Sequence, residues 1–143
     1  MADEAQKDIQ AKPVTNVIAC LRSEFGERLS EALAVRERFG KDESFHASVP
    51  PDAVVTPHTT EEVSRIVTVC AEHRVPVIPY GTGTALEGHV AALHGGISIN
   101  LQEMNQVVEL HAEDLDVVVQ PGVTRKQLNN YLRDCGLFFP IDP

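Results

Sequence analysis

The stretch that decides the fold is Val75-Pro76-Val77-Ile78-Pro79-Tyr80-Gly81-Thr82-Gly83-Thr84-Ala85-Leu86-Glu87-Gly88-His89-Val90, a short apolar run that ends in a glycine-rich loop (residues 81–88). Glycine permits a positive φ and lets the backbone approach a ligand closely, so such a loop can point N–H groups at an anion. The threonine hydroxyls beside the first two glycines add further donors. The same composition also suits a tight loop that needs glycine only for its turns, and both interpretations stay open at this point.

A compact βαβ unit is predicted immediately before this loop. Ala53-Val54-Val55 is a β-prone run that ends at Pro57, and Thr59 with Glu62 three residues later forms a capping box that starts a helix. The helix leads to the run Val75 to Ile78, the second predicted strand. Strand, helix and strand in about 27 residues favour a parallel pair joined by a right-handed crossover. The expected buried stripe of the helix consists of Val63, Ile66, Val67, Cys70 and Ala71.

Three further strands are predicted after the loop. Ile97 to Leu101 alternates apolar and polar residues, which indicates a half-buried strand. Gln106 to Leu110 and Asp116 to Gln120 are predicted as the next two strands. Val117-Val118-Val119 lacks that alternation, so we expect the last strand to be covered on both faces.

A final helix is predicted from a second capping box, formed by Thr124 and Gln127, to a stop at Gly136. The chain then runs through an apolar segment and ends at Asp142-Pro143, an ending from which we expect a truncated product or a gene fragment. The expected apolar face of the helix consists of Leu128, Tyr131, Leu132 and Cys135.

Helical periodicity also marks residues 13–39, which we predict to form one or two helices. Pro13 suits the first helical position, and Gly26 suits the end of the first helix. The second patch, Arg28 to Phe39, should stop at Gly40. These helices are expected to pack against the elements that follow them.

The composition is that of an acidic globular protein. Apolar residues make up 43% of the 143 residues, and 12 basic against 21 acidic side chains give a formal net charge of −9. An acidic balance without a basic cluster argues against nucleic acid or an anionic membrane as the main partner, so backbone donors and helix ends would have to hold a phosphate-bearing ligand. No apolar run approaches the ~20 residues of a transmembrane helix. Cys70 and Cys135 fall on predicted apolar helical faces, so we expect buried thiols in a reducing compartment.

The spacing of the glycines excludes two common nucleotide-binding motifs. Gly81-x-Gly83-x-x-x-x-Gly88 is not the Rossmann pattern, because position 86 is leucine and no capped helix opens directly behind the loop. From Gly83 to Gly88 the spacing is that of a P-loop, but His89-Val90 stands where a lysine and a hydroxyl residue are required. A nucleotide pyrophosphate held mainly by backbone N–H groups stays open.

No complete catalytic or metal site can be assembled from neighbouring residues. The six histidines are scattered; His89 and His94 flank the loop, where His89 fits either a ligand contact or a surface position. Glu87 fits either a carboxylate that orients the loop or a solvated side chain. We therefore predict no catalytic residue and no metal site in this chain.

The ordered motifs resemble those of a known family of flavin domains. Thr56-Pro57 with Thr60-Glu61-Glu62-Val63, then Pro76 to Thr84, then Leu86-Glu87-Gly88, are similar to the FAD-binding domain of the vanillyl-alcohol oxidase / p-cresol methylhydroxylase (PCMH) type. Val119 to Val123, Leu128-Asn129, Tyr131-Leu132 and Gly136 to Pro143 follow in the same order. The resemblance covers about residues 45–143. Within the family, the details look most like the mitochondrial cytochrome-linked D-lactate dehydrogenases.

The resemblance implies an α+β fold, the N-terminal part of a PCMH-type FAD-binding domain: a βαβ unit followed by a small mixed sheet and a helix, preceded by N-terminal helices. Residues 1–44 would be a helical leader, and residues 45–143 an incomplete N-terminal half of the domain. Some members attach flavin through a histidine; Gly83 stands at the matching place here, which implies non-covalent FAD. The implied cofactor-binding residues are Tyr80, Gly81, Thr82, Gly83, Thr84, Ala85, Leu86, Glu87, Gly88, Pro140 and Asp142.

The implied activity of the parent protein is oxidation of D-lactate, or a related D-2-hydroxy acid, to the 2-oxo acid by hydride transfer to FAD. An electron acceptor such as cytochrome c and a mitochondrial location are implied with it; no transit peptide is visible, so a cytoplasmic location stays open. Members of the family continue into a second half of the flavin domain and a catalytic domain, so we expect an N-terminal fragment here. Three alternatives stay open: a D-2-hydroxyglutarate or glycolate dehydrogenase relative, a non-catalytic binding module, and a P-loop-like phosphate protein, which the missing lysine disfavours.

Overall fold

The computed structural model describes residues 2–141, with side chains described for residues 13–141. One-turn 3₁₀ helices at Gly26–Arg28 and Arg133–Cys135 follow the first and last α-helices. The α-helices are α1 (Ala2–Phe25), α2 (Leu33–Phe39), α3 (Thr60–Glu72) and α4 (Arg125–Leu132). The strands are β1 (Leu29–Ser30), β2 (Ala53–Val55), β3 (Val77–Tyr80), β4 (Ile97–Asn100), β5 (Val107–His111) and β6 (Asp116–Val119). In this part of the chain, no helix is long and apolar enough to cross a membrane.

The main sheet has the strand order β1-β2-β4-β3, in which β2, β3 and β4 are parallel and β1 is antiparallel to β2. The α+β class and the βαβ unit are confirmed. The expected direct pairing of β2 with β3 is wrong, because β4 lies between them: Ser98 is the register partner of both Val54 and Ile78. Local periodicity cannot reveal this insertion, since it depends on which strand best fills the centre of the sheet.

Strand β4 is buried over its whole length, so the predicted half-buried strand is wrong. Ile97 and Ile99 join the core formed with α1 and α3. Ser98 is completely buried and Asn100 nearly so. The polar residues that alternate along this strand face a second apolar cluster and not solvent. That cluster contains Phe39, Val54, Ile78, Tyr80, Val90 and Ala92.

Helix α1 begins earlier than predicted, and it ends directly before Gly26, as predicted. It begins before Pro13, which lies inside the helix, and it ends at Phe25. The residues before Pro13 are rich in Ala, Glu, Gln and Lys, which have high helix propensity. Gly26, with φ +53°, begins a 3₁₀ turn. The buried side chains of α1 are Val17, Leu21 and Phe25.

The predicted helical patch from Arg28 to Phe39 is only partly helical. Leu29 lies in β1, where it is buried as the register partner of Val55. Helix α2 then runs to Phe39 and ends at Gly40 as predicted, with the Gly40 N–H donating to the Arg36 carbonyl. Because β1 extends the main sheet, the N-terminal residues share one core with the residues that follow them.

Helix α3 begins where predicted, since Thr59 Oγ1 accepts a hydrogen bond from the Glu62 N–H at 3.2 Å. The capping box is not reciprocal: the Glu62 carboxylate accepts from the His58 N–H, at 2.7 Å. The buried stripe is also rotated from its expected phase. Ile66, Val69 and Cys70 are buried, whereas Val67 and Ala71 are exposed.

Strands β5 and β6 form a separate antiparallel hairpin. The expectation that Val117 to Val119 is covered on both faces is wrong for the described residues, because Val118 is 47% and Val119 39% exposed. An unbroken valine run marks β propensity, but burial requires another layer against each face.

Helix α4 begins with the Thr124 cap, whose hydroxyl accepts from the Gln127 N–H. Leu128 and Leu132 are buried as expected, while the predicted apolar-face residues Tyr131 and Cys135 are exposed. The stop at Gly136 is confirmed, with φ +70°.

Candidate functional site

The carboxyl ends of β2, β3 and β4 meet at one edge of the main sheet, because these strands are parallel. In open α/β arrangements, ligands bind outside the carboxyl ends of parallel strands. The glycine-rich loop leaves this edge directly after Tyr80, and Gln102 follows the end of β4. The fold therefore places the loop where a ligand site is expected.

Two glycines give the loop its path. Gly83 and Gly88 have φ values of +75° and +71°, which L side chains rarely adopt. A Cβ on Gly83 would also lie 2.2 Å from the Tyr80 hydroxyl oxygen. Tyr80 itself is buried in β3 and its ring lies 4.5 Å from that of Phe39. The loop therefore packs against the buried Tyr80 side chain at Gly83.

The loop leaves its donors available. Among the described residues, no backbone N–H from Gly81 to Glu87 donates a hydrogen bond, while the Gly88 N–H donates to Asp42 Oδ2 at 3.0 Å. The Thr82 and Thr84 hydroxyls lie 3.1 Å apart. A run of unpaired N–H groups with two hydroxyls can take up an anionic oxygen in place of water.

A cavity of about 440 Å³ lies between this loop and the start of α4. Gly122 belongs to its lining and packs closely on the preceding segment, since a Cβ there would lie 2.3 Å from the Leu101 carbonyl oxygen. The volume is in the range of small-molecule sites. Its lining residues are Gly81, Thr82, Thr84, Gln102, Pro121, Gly122, Val123, Thr124, Arg125 and Lys126.

The electrostatics of this cavity favour an anion. The N-terminus of α4 contributes the positive end of a helix dipole, at a cap where Thr124 fixes the first turn. Arg125 and Lys126, the first two residues of α4, also belong to the lining. In a chain of net charge −9, the fold thus gathers positive charge at the glycine-rich loop. The sequence suggested only backbone donors and helix ends for a phosphate, and it missed these two side chains.

The structure separates the predicted cofactor-binding residues into groups. Gly81, Thr82 and Thr84 line the cavity. Gly83 and the residues from Ala85 to Gly88 shape the loop without lining the cavity. Tyr80 supports the loop from the sheet. Pro140 is exposed and outside the lining, and Asn129 bonds both the N–H and the carbonyl oxygen of the neighbouring Phe139. Asp142 lies outside the described residues.

The residues that the sequence analysis missed are Gln102 and the segment from Pro121 to Lys126. One signal was present: Pro121-Gly122 directly precedes a capped helix, the arrangement that places helix N–H groups next to a tight turn. Local sequence patterns could not show that this segment lies beside the glycine-rich loop, which is about 40 residues earlier in the chain, because that contact is tertiary.

A second cavity, of about 380 Å³, shares Gln102 and lies at the same edge of the sheet. Several of its polar lining residues are already hydrogen-bonded. Asn100 Nδ2 donates to Thr56 Oγ1 at 3.1 Å, and Asn100 Oδ1 accepts from the Gln102 N–H at 3.1 Å. Arg28 forms an ion pair with Glu62. These bonds order the edge of the sheet next to the first cavity.

Among the side chains of residues 13–141, no group of three or more His, Cys, Asp or Glu could hold a metal ion. His111 illustrates why carboxylates near a histidine are not enough. It bonds Glu109 at 2.7 Å and Asp116 at 2.5 Å, and these hydrogen bonds raise the pKa of its imidazole. Both ring nitrogens of His111 are therefore engaged by carboxylates.

Comparisons with known proteins show which family the sequence matches. The sequence profile described as FAD binding domain matches residues 51–143. The chain is 56% identical over 131 residues to a probable mitochondrial D-lactate dehydrogenase of Danio rerio, covering 91% of this chain and 26% of that protein. It is 44% identical over 129 residues to the mitochondrial D-lactate dehydrogenase [cytochrome] of Arabidopsis thaliana, covering 89% of this chain and 23% of that protein.

Among solved structures, p-cresol methylhydroxylase superposes with a TM-score of 0.72 at 22% identity, over 89% of this chain and 26% of that chain. At this identity the similarity concerns the fold alone. The chain spans about a quarter of the length of the curated relatives it matches.

Proposed function

The chain belongs to the FAD binding domain family, and on this premise we propose that it forms the pyrophosphate-binding half of an FAD site in a 2-hydroxy-acid dehydrogenase. The observation that carries the proposal is the single cavity shared by the glycine-rich loop and the N-terminus of α4. Loop N–H groups that make no hydrogen bond to the described residues meet the N-terminus of α4 and its cationic residues Arg125 and Lys126 there, which together suit a dianionic pyrophosphate.

The proposed binding roles follow from this geometry. Gly81, Thr82 and Thr84 present donors from one side, and Lys126 and the first turn of α4 balance the phosphate charge from the other. We also propose that residues 45–143 supply the cofactor-binding half, with residues 1–44 packed against it. The remaining proposed cofactor-binding residues are Tyr80, Gly83, Ala85, Leu86, Glu87, Gly88, Pro140 and Asp142.

FAD would be held without a covalent bond. Position 83, where the family resemblance expects a flavin-bonded histidine in some members, carries a glycine in the left-handed region. The nearby Tyr80 hydroxyl leaves no room for a side chain there. Denaturation in acid should therefore release all flavin into the supernatant; flavin that remains with the precipitated protein would contradict this assignment.

For the whole protein, we propose oxidation of D-lactate to the 2-oxo acid. Bound FAD supplies the two-electron acceptor for this chemistry. The similarity to the mitochondrial D-lactate dehydrogenases of Danio rerio and Arabidopsis thaliana supports the substrate. The same similarity supports a mitochondrial location and an electron acceptor such as cytochrome c.

Cofactor binding is tested by titrating the 143-residue chain with FAD and following flavin fluorescence. Lys126→Ala should weaken FAD binding about three- to tenfold, because an exposed charge contact to a phosphate is lost. Arg133→Ala is the matched control: it removes one positive charge just after α4, at a residue paired with Asp134 and outside the cavity. Equal losses in both variants, or no FAD binding by the unaltered chain, would contradict the proposed site.

The substrate is tested on the FAD-loaded protein that carries this chain. D-lactate, glycolate and D-2-hydroxyglutarate are supplied separately without an acceptor, and bleaching of the flavin absorbance is followed in single turnover. D-lactate should bleach the flavin fastest. Faster bleaching by either of the other acids would assign the protein to that substrate, and no bleaching by any of them would overturn the dehydrogenase assignment.

A further inference from the structure

A short segment before the family region lies against the glycine-rich loop at three points. We call residues 41–46 the support segment. Asp42 Oδ2 accepts a hydrogen bond from the Gly88 N–H at 3.0 Å, and the Glu43 N–H donates to the Ala85 carbonyl at 3.2 Å. The ring of His46 packs on Gly88, where a Cβ would lie 2.5 Å from the imidazole Cδ2. The family match begins only at residue 51, so this contact is outside it.

The support segment is itself well held. Lys41 Nζ donates to the carbonyl oxygens of Ser44 and His46, both at 3.0 Å. The Val49 N–H closes the segment by donating to the Gly40 carbonyl at 3.1 Å. A Cβ on Gly40 would lie 2.5 Å from the Val49 carbonyl oxygen, so the two ends pack in direct contact. The glycine-rich loop therefore contacts a segment that is held by its own hydrogen bonds.

Asp42 links the support segment to the glycine-rich loop. Its side chain is buried, and its oxygens accept from two backbone N–H groups: Oδ1 from Ser44 at 3.0 Å and Oδ2 from Gly88. Hydrogen bonds from Ser44, and then from Gly88, lower the pKa of this carboxyl. A carboxylate near a pyrophosphate site would repel the ligand if it faced the cavity. Asp42 is absent from the cavity lining and bonds the far end of the loop.

We propose that Asp42 is a positioning residue for the FAD pyrophosphate loop: its carboxylate fixes Gly88 in the left-handed conformation and thereby leaves the loop N–H groups from Gly81 to Glu87 directed at the cofactor. This inference rests on the proposed function. Pre-ordering a loop in its binding conformation raises affinity because the entropy of ordering is already lost before the ligand arrives.

The variant that tests this role is Asp42→Asn. The two N–H groups bond different oxygens of Asp42, and an amide has only one oxygen, so its NH₂ would face one of the two donors. The matched control is Asp52→Asn, since Asp52 Oδ2 accepts from the Gly96 N–H at 2.6 Å. Gly96 directly precedes β4, at the opposite edge of the parallel strands from the loop. Both substitutions therefore remove a carboxylate that binds a glycine N–H.

The first measurement is amide hydrogen exchange in the 143-residue chain without FAD, read for residues 81–90. We expect about tenfold faster exchange of the Gly88 amide in Asp42→Asn and no change there in Asp52→Asn. The second is the FAD dissociation constant, expected to rise about tenfold in Asp42→Asn only. Urea unfolding midpoints of the two variants should be similar, which separates loop positioning from general destabilisation.

Lys41→Ala provides a second test if Asp42→Asn folds poorly. Lys41 is exposed and braces the support segment from outside, so its loss should raise Gly88 exchange while the chain stays folded. Unchanged exchange in both variants, or the same change in Asp52→Asn, would overturn the positioning role. The exchange data need no FAD: a chain that shows faster Gly88 exchange in Asp42→Asn but binds no FAD would contradict the proposed function and not the contact.

Discussion

The Arg28 guanidinium and the Glu62 carboxylate form two parallel hydrogen bonds, with nitrogen–oxygen distances of 2.7 and 2.8 Å. Arg28 ends the turn that follows α1, and Glu62 lies in the first turn of α3, so the pair joins the N-terminal region to the βαβ unit. The Glu62 carboxylate also accepts from the His58 N–H at 2.7 Å. Three hydrogen bonds therefore converge on the Glu62 carboxylate.

Glu62 should make stability depend on pH in acid. The hydrogen bond from Arg28 and then that from His58 lower the pKa of Glu62 from 4.5 to about 2. A depressed folded-state pKa contributes stability above pH 4.5 that is lost as the pH falls toward 2. Because both side chains are about 30% exposed, solvent screening reduces the contribution to about 1–2 kcal/mol.

Glu62→Gln checks this contribution by urea unfolding at pH 7 and at points between pH 5 and 2. The variant should be less stable at pH 7 and should lose less further stability on acidification than the unaltered chain. Glu61→Gln is the control, because Glu61 lies in the same turn, is exposed and shares none of these bonds. Parallel pH profiles for Glu62→Gln and Glu61→Gln would refute the assignment.

Gly83→Ala should destabilise the chain by about 1–3 kcal/mol, because alanine is strained at φ +75° and its Cβ would collide with the Tyr80 hydroxyl. Gly81→Ala is the matched control in the same loop: among the described residues, no atom beyond its chain neighbours lies within 4 Å of the added Cβ, so the change should stay within about 0.5 kcal/mol. Thermal or urea unfolding of the two variants measures the difference. Equal stabilities would mean that the loop does not require glycine at position 83.

Ser98→Ala should be neutral or stabilising by up to about 1 kcal/mol, since the Ser98 hydroxyl is fully buried with no hydrogen-bond partner among the described residues. Asn100→Ala, in the same strand, should cost about 2–3 kcal/mol because its amide has partners on both sides. The urea unfolding midpoints of the two variants measure this difference in stability. A clear loss of stability in Ser98→Ala would reveal a bond that the hydroxyl makes in solution.

The cysteines should differ in reactivity with a thiol reagent such as DTNB at pH 8. Burial raises the pKa of the Cys70 thiol from 9.0 to about 11, which lowers its thiolate fraction about 100-fold, and its sulfur is also inaccessible. Cys135 is exposed and should react first. Cys135→Ser should remove the fast phase of thiol labelling, and unfolding in urea should make the slowly labelled Cys70 react fast. Fast labelling of Cys70 in the folded chain would contradict its burial.

Local signals in the sequence predicted most elements. The hydroxyl caps at Thr59 and Thr124 start α3 and α4, and the glycines at positions 40 and 136 end helices, because each depends on a few neighbouring residues. The family resemblance placed these elements in the FAD binding domain family, and the comparisons confirm that assignment.

Burial was predicted less well, for an identifiable reason. Val117 to Val119 has the composition of a buried strand, yet Val118 and Val119 are exposed and Val117 is only half-buried. Cys135 follows the apolar period of α4 but lies in the 3₁₀ turn after it, where the period changes from 3.6 to 3.0 residues. A pattern of apolar residues states which face can be buried, and packing decides whether it is.

The sequence by itself determined the glycine-rich loop, because positive φ values and a close approach to Tyr80 are requirements of single positions. The tertiary structure decided what surrounds it. Strand β4 lies between β2 and β3 and is parallel to both, so the carboxyl ends of all three strands meet at the edge of the sheet where the glycine-rich loop begins. Helix α4 places Lys126 in the lining of the cavity. Asp42 bonds the N–H of Gly88, 46 residues further along the chain. These contacts join residues far apart in the chain, so they depend on the free energy of the whole packed fold and have no local pattern to predict them.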